Sequence, residues 1–179
     1  MIAYHAVTDR PLLPGQQIVF DETHRSGVYL RVHEKRNLIR DIYSNPEKYR
    51  AHPLGHHTAV ALRELALEEV RARKYPQYPS RMACLYASAT LEEAERWADF
   101  FAKIGRPTYS IVRFDCRGPF FPGDATKCFE GLVDHRENLR LAELYWENPA
   151  TTASVRELLL AGPIRVLEIV REINRNLPY

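Results

Sequence analysis

A chain of 179 residues, 45% hydrophobic and 27% charged, is long enough to bury a core without disulfides or metal, and its composition is ordinary for a soluble globular protein and does not read as disorder. A net charge of +2 gives no overall basic excess for a polyanionic partner. Cys84, Cys116 and Cys128 are odd in number and lack C-x-x-C spacing, which argues against a disulfide framework or zinc ribbon and fits a reducing, cytoplasmic compartment.

The opening residues, Met-Ile-Ala-Tyr-His-Ala-Val, carry no basic stretch followed by an apolar core, so no signal peptide is expected. No apolar run is long enough to span a bilayer, so no membrane association is expected. Residues 2–7 read as a short strand ending in the turn Thr8-Asp9-Arg10-Pro11. Pro14-Gly15 turns the chain into a second short strand at residues 17–20, and residues 21–27 read as a polar loop. Residues 28–32 fit either a strand or the lead into a helix.

From Arg36 the period becomes helical, with Leu38, Ile39 and Ile42 on one face and Asn45-Pro46 as the stop. A longer helix is predicted over residues 58–74, with Val60, Leu62, Leu65, Leu67 and Val70 forming its apolar stripe. Residues 80–89 read as a buried strand. Thr90 precedes Glu93 by three, a capping-box spacing for a helix over residues 91–104. Residues 108–115 alternate as a strand. Gly118-Pro119 and Pro122-Gly123-Asp124 read as loop, residues 139–146 as a short helix, and residues 156–160 and 165–171 as closing strands. The order suggests an α+β chain, a single domain over residues 1–179 with a helical insertion at about residues 36–76. The basic clusters Arg71, Arg73, Lys74 and Arg136, Arg140 read as solvated helix faces.

Three residues carry the chemistry most open to a ligand. His5, near the end of the first strand, can bond a ribose hydroxyl or act as a base. Tyr86 can stack on a planar ring and still hydrogen-bond. Glu157 stands beside three leucines, where partial burial would tune its carboxylate. Taken singly, each also fits a structural role: a satisfied histidine, a core tyrosine, an exposed charge at a strand start. His52 and His56 have i, i+4 spacing, but Pro53 and Gly55 lie between them and no third ligand is evident, so no metal site is expected. Cys84 sits in an apolar strand, which disfavours a thiolate nucleophile.

In order, these segments resemble the ADP-ribosyltransferase superfamily. Tyr4-His5-Ala6-Val7-Thr8, followed by Leu12-Leu13-Pro14-Gly15, is similar to its first block. Leu85-Tyr86-Ala87-Ser88 with Glu93-Ala94 and the strand at Tyr109-Ser110-Ile111-Val112 is similar to its second. Glu157 through Gly162-Pro163-Ile164 is similar to its third. Rifampicin ADP-ribosyltransferases and DarT-type nucleic-acid-modifying toxins open in a similar way. The chain also resembles an uncharacterised bacterial family, DUF2441, over nearly its whole length, most visibly at Tyr78-Pro79-Ser80-Arg81-Met82-Ala83-Cys84-Leu85-Tyr86-Ala87, Trp97 and Tyr145-Trp146.

The superfamily resemblance implies two small packed antiparallel or mixed sheets around a cleft, with helices inserted between and flanking. It implies NAD as the substrate, with no metal, and a macromolecular acceptor, protein or nucleic acid. His5, Thr8, Tyr86 and Ser88 would line the NAD site, with Tyr43 and Tyr109 competing with Tyr86 to stack on nicotinamide. Arg10 or Arg81 would meet the pyrophosphate, and Glu157 would be catalytic. Two departures stand out: the middle strand reads Tyr-Ala-Ser, not Ser-Thr-Ser, and Val155 occupies the position two before Glu157, where arginine-directed members carry Glu or Gln. A non-catalytic binding protein on the same fold and an RNA 2′-phosphotransferase-like enzyme are the competing readings.

Overall fold

A computed structural model describes residues 1–8, 10–21, 23–151 and 155–174. Asp9, in the expected turn after the first strand, and Glu22, in the expected polar loop, lie outside the described residues. The strands are β1 (Ile2–Val7), β2 (Gln17–Phe20), β3 (Leu85–Ala87), β4 (Ser110–Cys116), β5 (Phe120–Asp124), β6 (Arg156–Leu160) and β7 (Gly162–Glu172). The helices are α1 (Gly27–Ser44), α2 (Pro46–Arg50), α3 (His56–Lys74), α4 (Leu91–Lys103) and α5 (His135–Glu147). The chain is α+β.

Two small antiparallel sheets are formed, one ordered β1-β4-β7-β2 and the other β3-β6-β5. They meet where β1 touches the end of β3: Tyr4 N donates to Ser88 O at 2.9 Å and Ser88 N to Tyr4 O at 2.8 Å. Side chains alternate across a strand, and this sorts the layers. Ala3 and Val7 of β1 and Val112 and Phe114 of β4 pack against Leu85 and Ala87 of β3 and Leu158 and Leu160 of β6, which is the core between the sheets. The alternate residues of the smaller sheet, Phe121 and Leu159, pack instead on α3 and α5 through Leu67, Val70, Tyr145 and Trp146. Helix α1 lies on α3 through Val28, Val32, Ile39 and Ile42. Helix α4 covers the far face of the larger sheet, with Ala94 and Ala98 against Ala6 and Ile111.

Several sequence expectations are corrected. Residues 28–32 are helical: α1 begins at Gly27, nine residues ahead of the expected Arg36, because Val28 and Val32 point inward with Ile39 and Ile42 at helical spacing. The helical segment between β2 and β3 therefore begins at residue 27 rather than 36. The expected strand over residues 80–89 shrinks to Leu85–Ala87, since Ala83 N bonds Ser80 O at 2.9 Å and turns the chain. Pro122-Gly123-Asp124, expected as loop, belong to β5, which runs from Phe120 to Asp124. Pro122 is tolerated there because β5 is an edge strand, where a missing donor costs little. Helix α5 starts at His135, four residues early, where the Asp134 side chain accepts from the amides of Arg136 and Glu137. The capping box at Thr90 and Glu93 is present, with both reciprocal bonds made.

Candidate functional site

A cleft of about 620 Å³ opens where the end of β1 meets β3 and the start of α1. Its position follows from strand alternation. His5 shares the inward face of β1 with Ala3 and Val7, while Tyr86 and Glu157 share the helix-side face of the smaller sheet with Leu159. All three line the cleft. Thr8, Arg10, Arg81 and Ser88 line it as well, so every residue expected at the site reaches one concavity. His5 Nδ1 donates to the Tyr86 carbonyl oxygen at 2.8 Å, joining the two sheets at the cleft wall. Of the three competing tyrosines, Tyr86 lines the cleft. Tyr43 packs in the α1–α3 cluster against His135, and Tyr109 packs on the core between the sheets.

At the floor lies a chain of alternating charge. Glu157, which taken singly also fits an exposed charge at a strand start, is 8% exposed; Arg81 and Glu64 are 4% and 1% exposed. Arg81 Nη1 donates to Glu157 Oε1, and also to the Tyr145 hydroxyl at 2.8 Å. On its other side Arg81 Nε donates to Glu64 Oε2 at 2.8 Å and Nη2 to Glu64 Oε1 at 3.2 Å. Arg63 Nη2 closes the chain on Glu64 Oε1 at 2.9 Å. The Arg81 guanidinium sits 5.2 Å from the Tyr86 ring centroid and 5.1 Å from that of Tyr145, so each ring faces a cation.

The electrostatics follow. Burial opposes charge on Arg81, but Glu157 and then Glu64 outweigh it and hold the guanidinium protonated. Burial likewise opposes charge on Glu64, and Arg81 with Arg63 outweighs it, keeping that carboxyl below the ordinary carboxylate range. Burial pushes the Tyr145 hydroxyl up, which keeps it a proton donor. Burial also pushes the Cys128 thiol up to about 12, despite the opposing charge of Arg81, and Cys84 is raised for the same first reason.

Glu157 is anchored through one oxygen. Oε1 accepts from Arg81, from the Tyr145 hydroxyl at 2.8 Å and from Cys128 Sγ at 3.4 Å, while Oε2 accepts from no described residue. The backbone was shaped for this. A Cβ on Gly123 would fall 2.3 Å from the Tyr145 hydroxyl oxygen and 3.2 Å from Glu157 Cγ, so only glycine lets β5 pass beneath the pair.

The wall and mouth carry a charge excess that the chain total conceals. Six arginines and two glutamates line the cleft. Arg10, Arg25 and Arg31 are exposed and form no ion pair among the described residues, though Arg25 lies 5.2 Å from the Tyr29 ring centroid. Phe20, Trp97 and Phe101 supply aromatic wall. No group of three or more His, Cys, Asp or Glu among the described residues is placed to hold a metal ion; His52 lies ahead of α3, which His56 opens. No helix among the described residues is long and apolar enough to cross a membrane.

Residues 3–172 match the model of a family described as a protein of unknown function, DUF2441. The chain belongs to the DUF2441 family. No curated protein matches it. The segment that carried the DUF2441 resemblance, residues 78–87, contains both Arg81 and Tyr86, and the later Tyr145 is the residue that bridges Arg81 to Glu157. In this DUF2441 chain Glu64, Arg63 and the mouth arginines Arg25 and Arg31 join the site without any motif to mark them. Glu64 had a signal: it falls three residues after Ala61 and three before Leu67, inside the buried stripe of α3. The mouth arginines had none, because an exposed arginine at a helix start looks like any surface charge.

Proposed function

We propose that this DUF2441 chain is an NAD-dependent mono-ADP-ribosyltransferase that modifies a macromolecular acceptor, protein or nucleic acid. The observation that carries the reading is the half-anchored Glu157: one carboxylate oxygen tied down by three donors and the other without a described partner, at the floor of a cationic, aromatic-walled cleft. The resemblance of the β1, β3 and β6 blocks to the ADP-ribosyltransferase superfamily supports the same reading.

A dinucleotide matches the cleft's chemistry. The pyrophosphate is an anion that suits planar guanidinium donors. Arg10 is the first choice for it, because Arg81 already spends four hydrogen bonds on Glu64, Tyr145 and Glu157. His5, oriented by the Tyr86 carbonyl, meets a ribose hydroxyl, and Thr8 and Ser88 border the same wall. Tyr86 offers its ring to nicotinamide.

The reaction breaks the bond between the ribose carbon C1′ and the nicotinamide nitrogen, and nicotinamide leaves with the bonding pair. Positive charge then spreads over C1′ and the ring oxygen. Glu157 Oε2 accepts a hydrogen bond from the ribose hydroxyl next to C1′, and its negative charge stabilises that cation. The acceptor nucleophile attacks C1′ and loses its proton to solvent or a nearby base. Because Arg81 and Tyr145 fix Glu157 before substrate arrives, little reorganisation is needed during the reaction.

Isothermal titration of purified protein with NAD tests the binding half. Saturable binding is expected, weakened about tenfold in Arg10→Ala through loss of a charge-assisted bond. Absence of binding by both NAD and ADP-ribose would overturn the reading.

A further inference from the structure

We propose that Glu64 is a positioning residue: by gripping Arg81 it holds one oxygen of Glu157 in place and keeps the other turned toward the cleft. The proposal rests on the cleft being the reaction site, and it concerns a residue of α3 that no motif marks.

The geometry is directional. Glu64 takes Arg81 by Nε and Nη2, the edge of the guanidinium away from Glu157. That turns Nη1 toward Glu157 Oε1 and the Tyr145 hydroxyl. The guanidinium carbon lies 5.2 Å from the Tyr86 ring centroid and 5.1 Å from that of Tyr145, and rotation of the guanidinium away from Glu157 would have to break its bonds on the Glu64 side. The two bonds from Glu64 are what oppose that rotation. Arg63 holds Glu64 in turn, by Nε at 3.1 Å and Nη2 at 2.9 Å, and is itself tied to the Phe129 carbonyl at 3.2 Å. The alternation Arg63, Glu64, Arg81, Glu157 is neutral as a unit.

Stability alone is a poor reason to keep such a chain. Buried ion pairs are often replaceable by apolar side chains at little or no cost. Here the α3 face around Glu64 is apolar, with Ala61 and Leu67 both buried. A leucine at position 64 would fill the same apolar face but leave Arg81 short of a counter-charge and undirected. The use that the charge serves is orientation, and the group it orients is the one carboxylate whose second oxygen is left for the cleft. Glu64 does this without bonding to Glu157.

The test is Glu64→Gln, which keeps size and one acceptor oxygen, alongside Glu64→Asp, which keeps the charge. Two readouts are taken. In the first, without NAD, hydrogen exchange at the Arg81 Nε–H and the carboxyl carbon shift of Glu157 are followed by NMR. In Glu64→Gln the Arg81 Nε–H is expected to exchange at least about tenfold faster, with the Glu157 signal displaced and backbone amides of α3 and β6 as protected as before. In the second, nicotinamide release is measured. Here kcat is expected to fall about tenfold or more with KM for NAD within about threefold, as misplacement of a reacting group predicts, and Glu64→Asp is expected to recover part of the loss. An Arg81 Nε–H that stays protected, or a Glu157 signal that does not move, overturns the proposal, as does loosening of Arg81 with kcat unchanged. A wild-type protein that releases no nicotinamide overturns the NAD reading instead, and the NMR readout then decides the role of Glu64 alone.

Discussion

Arg81 and Glu157 stand 76 residues apart in the sequence and form an ion pair at the cleft floor, both nearly excluded from solvent. Arg81 arrives from the turn before β3 and Glu157 from the start of β6, so closing the smaller sheet is what brings them together. The pair is therefore a product of the fold.

Replacing Arg81 by Met is expected to cost about 3–5 kcal/mol, because it strands two buried carboxylates without their shared cation. Urea unfolding at pH 7 measures this. The deficit should shrink as pH falls, since Glu64 in the variant has lost the guanidinium that holds its carboxyl low and escapes its charge by protonation.

Tyr145→Phe removes a hydroxyl that accepts from Arg81 and donates to Glu157, each at 2.8 Å. Both partners are charged, so a loss of about 1.5–3 kcal/mol is expected in thermal or urea unfolding. Nicotinamide release should fall with it, through kcat more than KM.

Gly123→Ala forces a methyl group to within 2.3 Å of the Tyr145 hydroxyl oxygen. Tyr145 is fully buried and cannot swing away, so overpacking of about 1–3 kcal/mol is expected. In a Tyr145→Phe background the same change should cost measurably less, because the clashing oxygen is gone. A double-mutant cycle reads the coupling; additive effects would show that the clash is relieved some other way.

Glu64 sets an acid limit. Its carboxyl is held below the ordinary value in the folded state, so the unfolded chain binds the proton first as pH falls. The stability it contributes is complete above the unfolded value, about 4.3. It is lost as pH drops from there through the lower folded value. Urea midpoints between pH 7 and pH 3 should fall for the wild type, and more shallowly for Glu64→Gln.

Much of the frame could be read from residues. Strand formers ending in a turn marked β1, alternation marked β4, and the Thr90–Glu93 spacing marked the start of α4, because those signals are local. The start of α1 was hidden because Val28, Tyr29 and Val32 are strand formers, and only their packing on α3 makes them helical. Strand β5 was hidden because Pro122 and Gly123 signal loop, whereas an edge strand tolerates the first and the Tyr145 hydroxyl requires the second. His5, Tyr86 and Glu157 were visible only as a set in chain order. The Glu64 grip on Arg81 was only half visible: the spacing of Ala61, Glu64 and Leu67 puts Glu64 in the buried stripe of α3, but nothing local names Arg81, 17 residues on, as its partner.

The most direct measurement is nicotinamide release from NAD by purified wild-type protein and by Glu157→Gln, each with and without a cell lysate as the source of acceptor. The account predicts release by the wild type, faster with lysate, and a loss of at least about a hundredfold in the variant. Equal release by the two proteins, or none from the wild type with or without lysate, would contradict it.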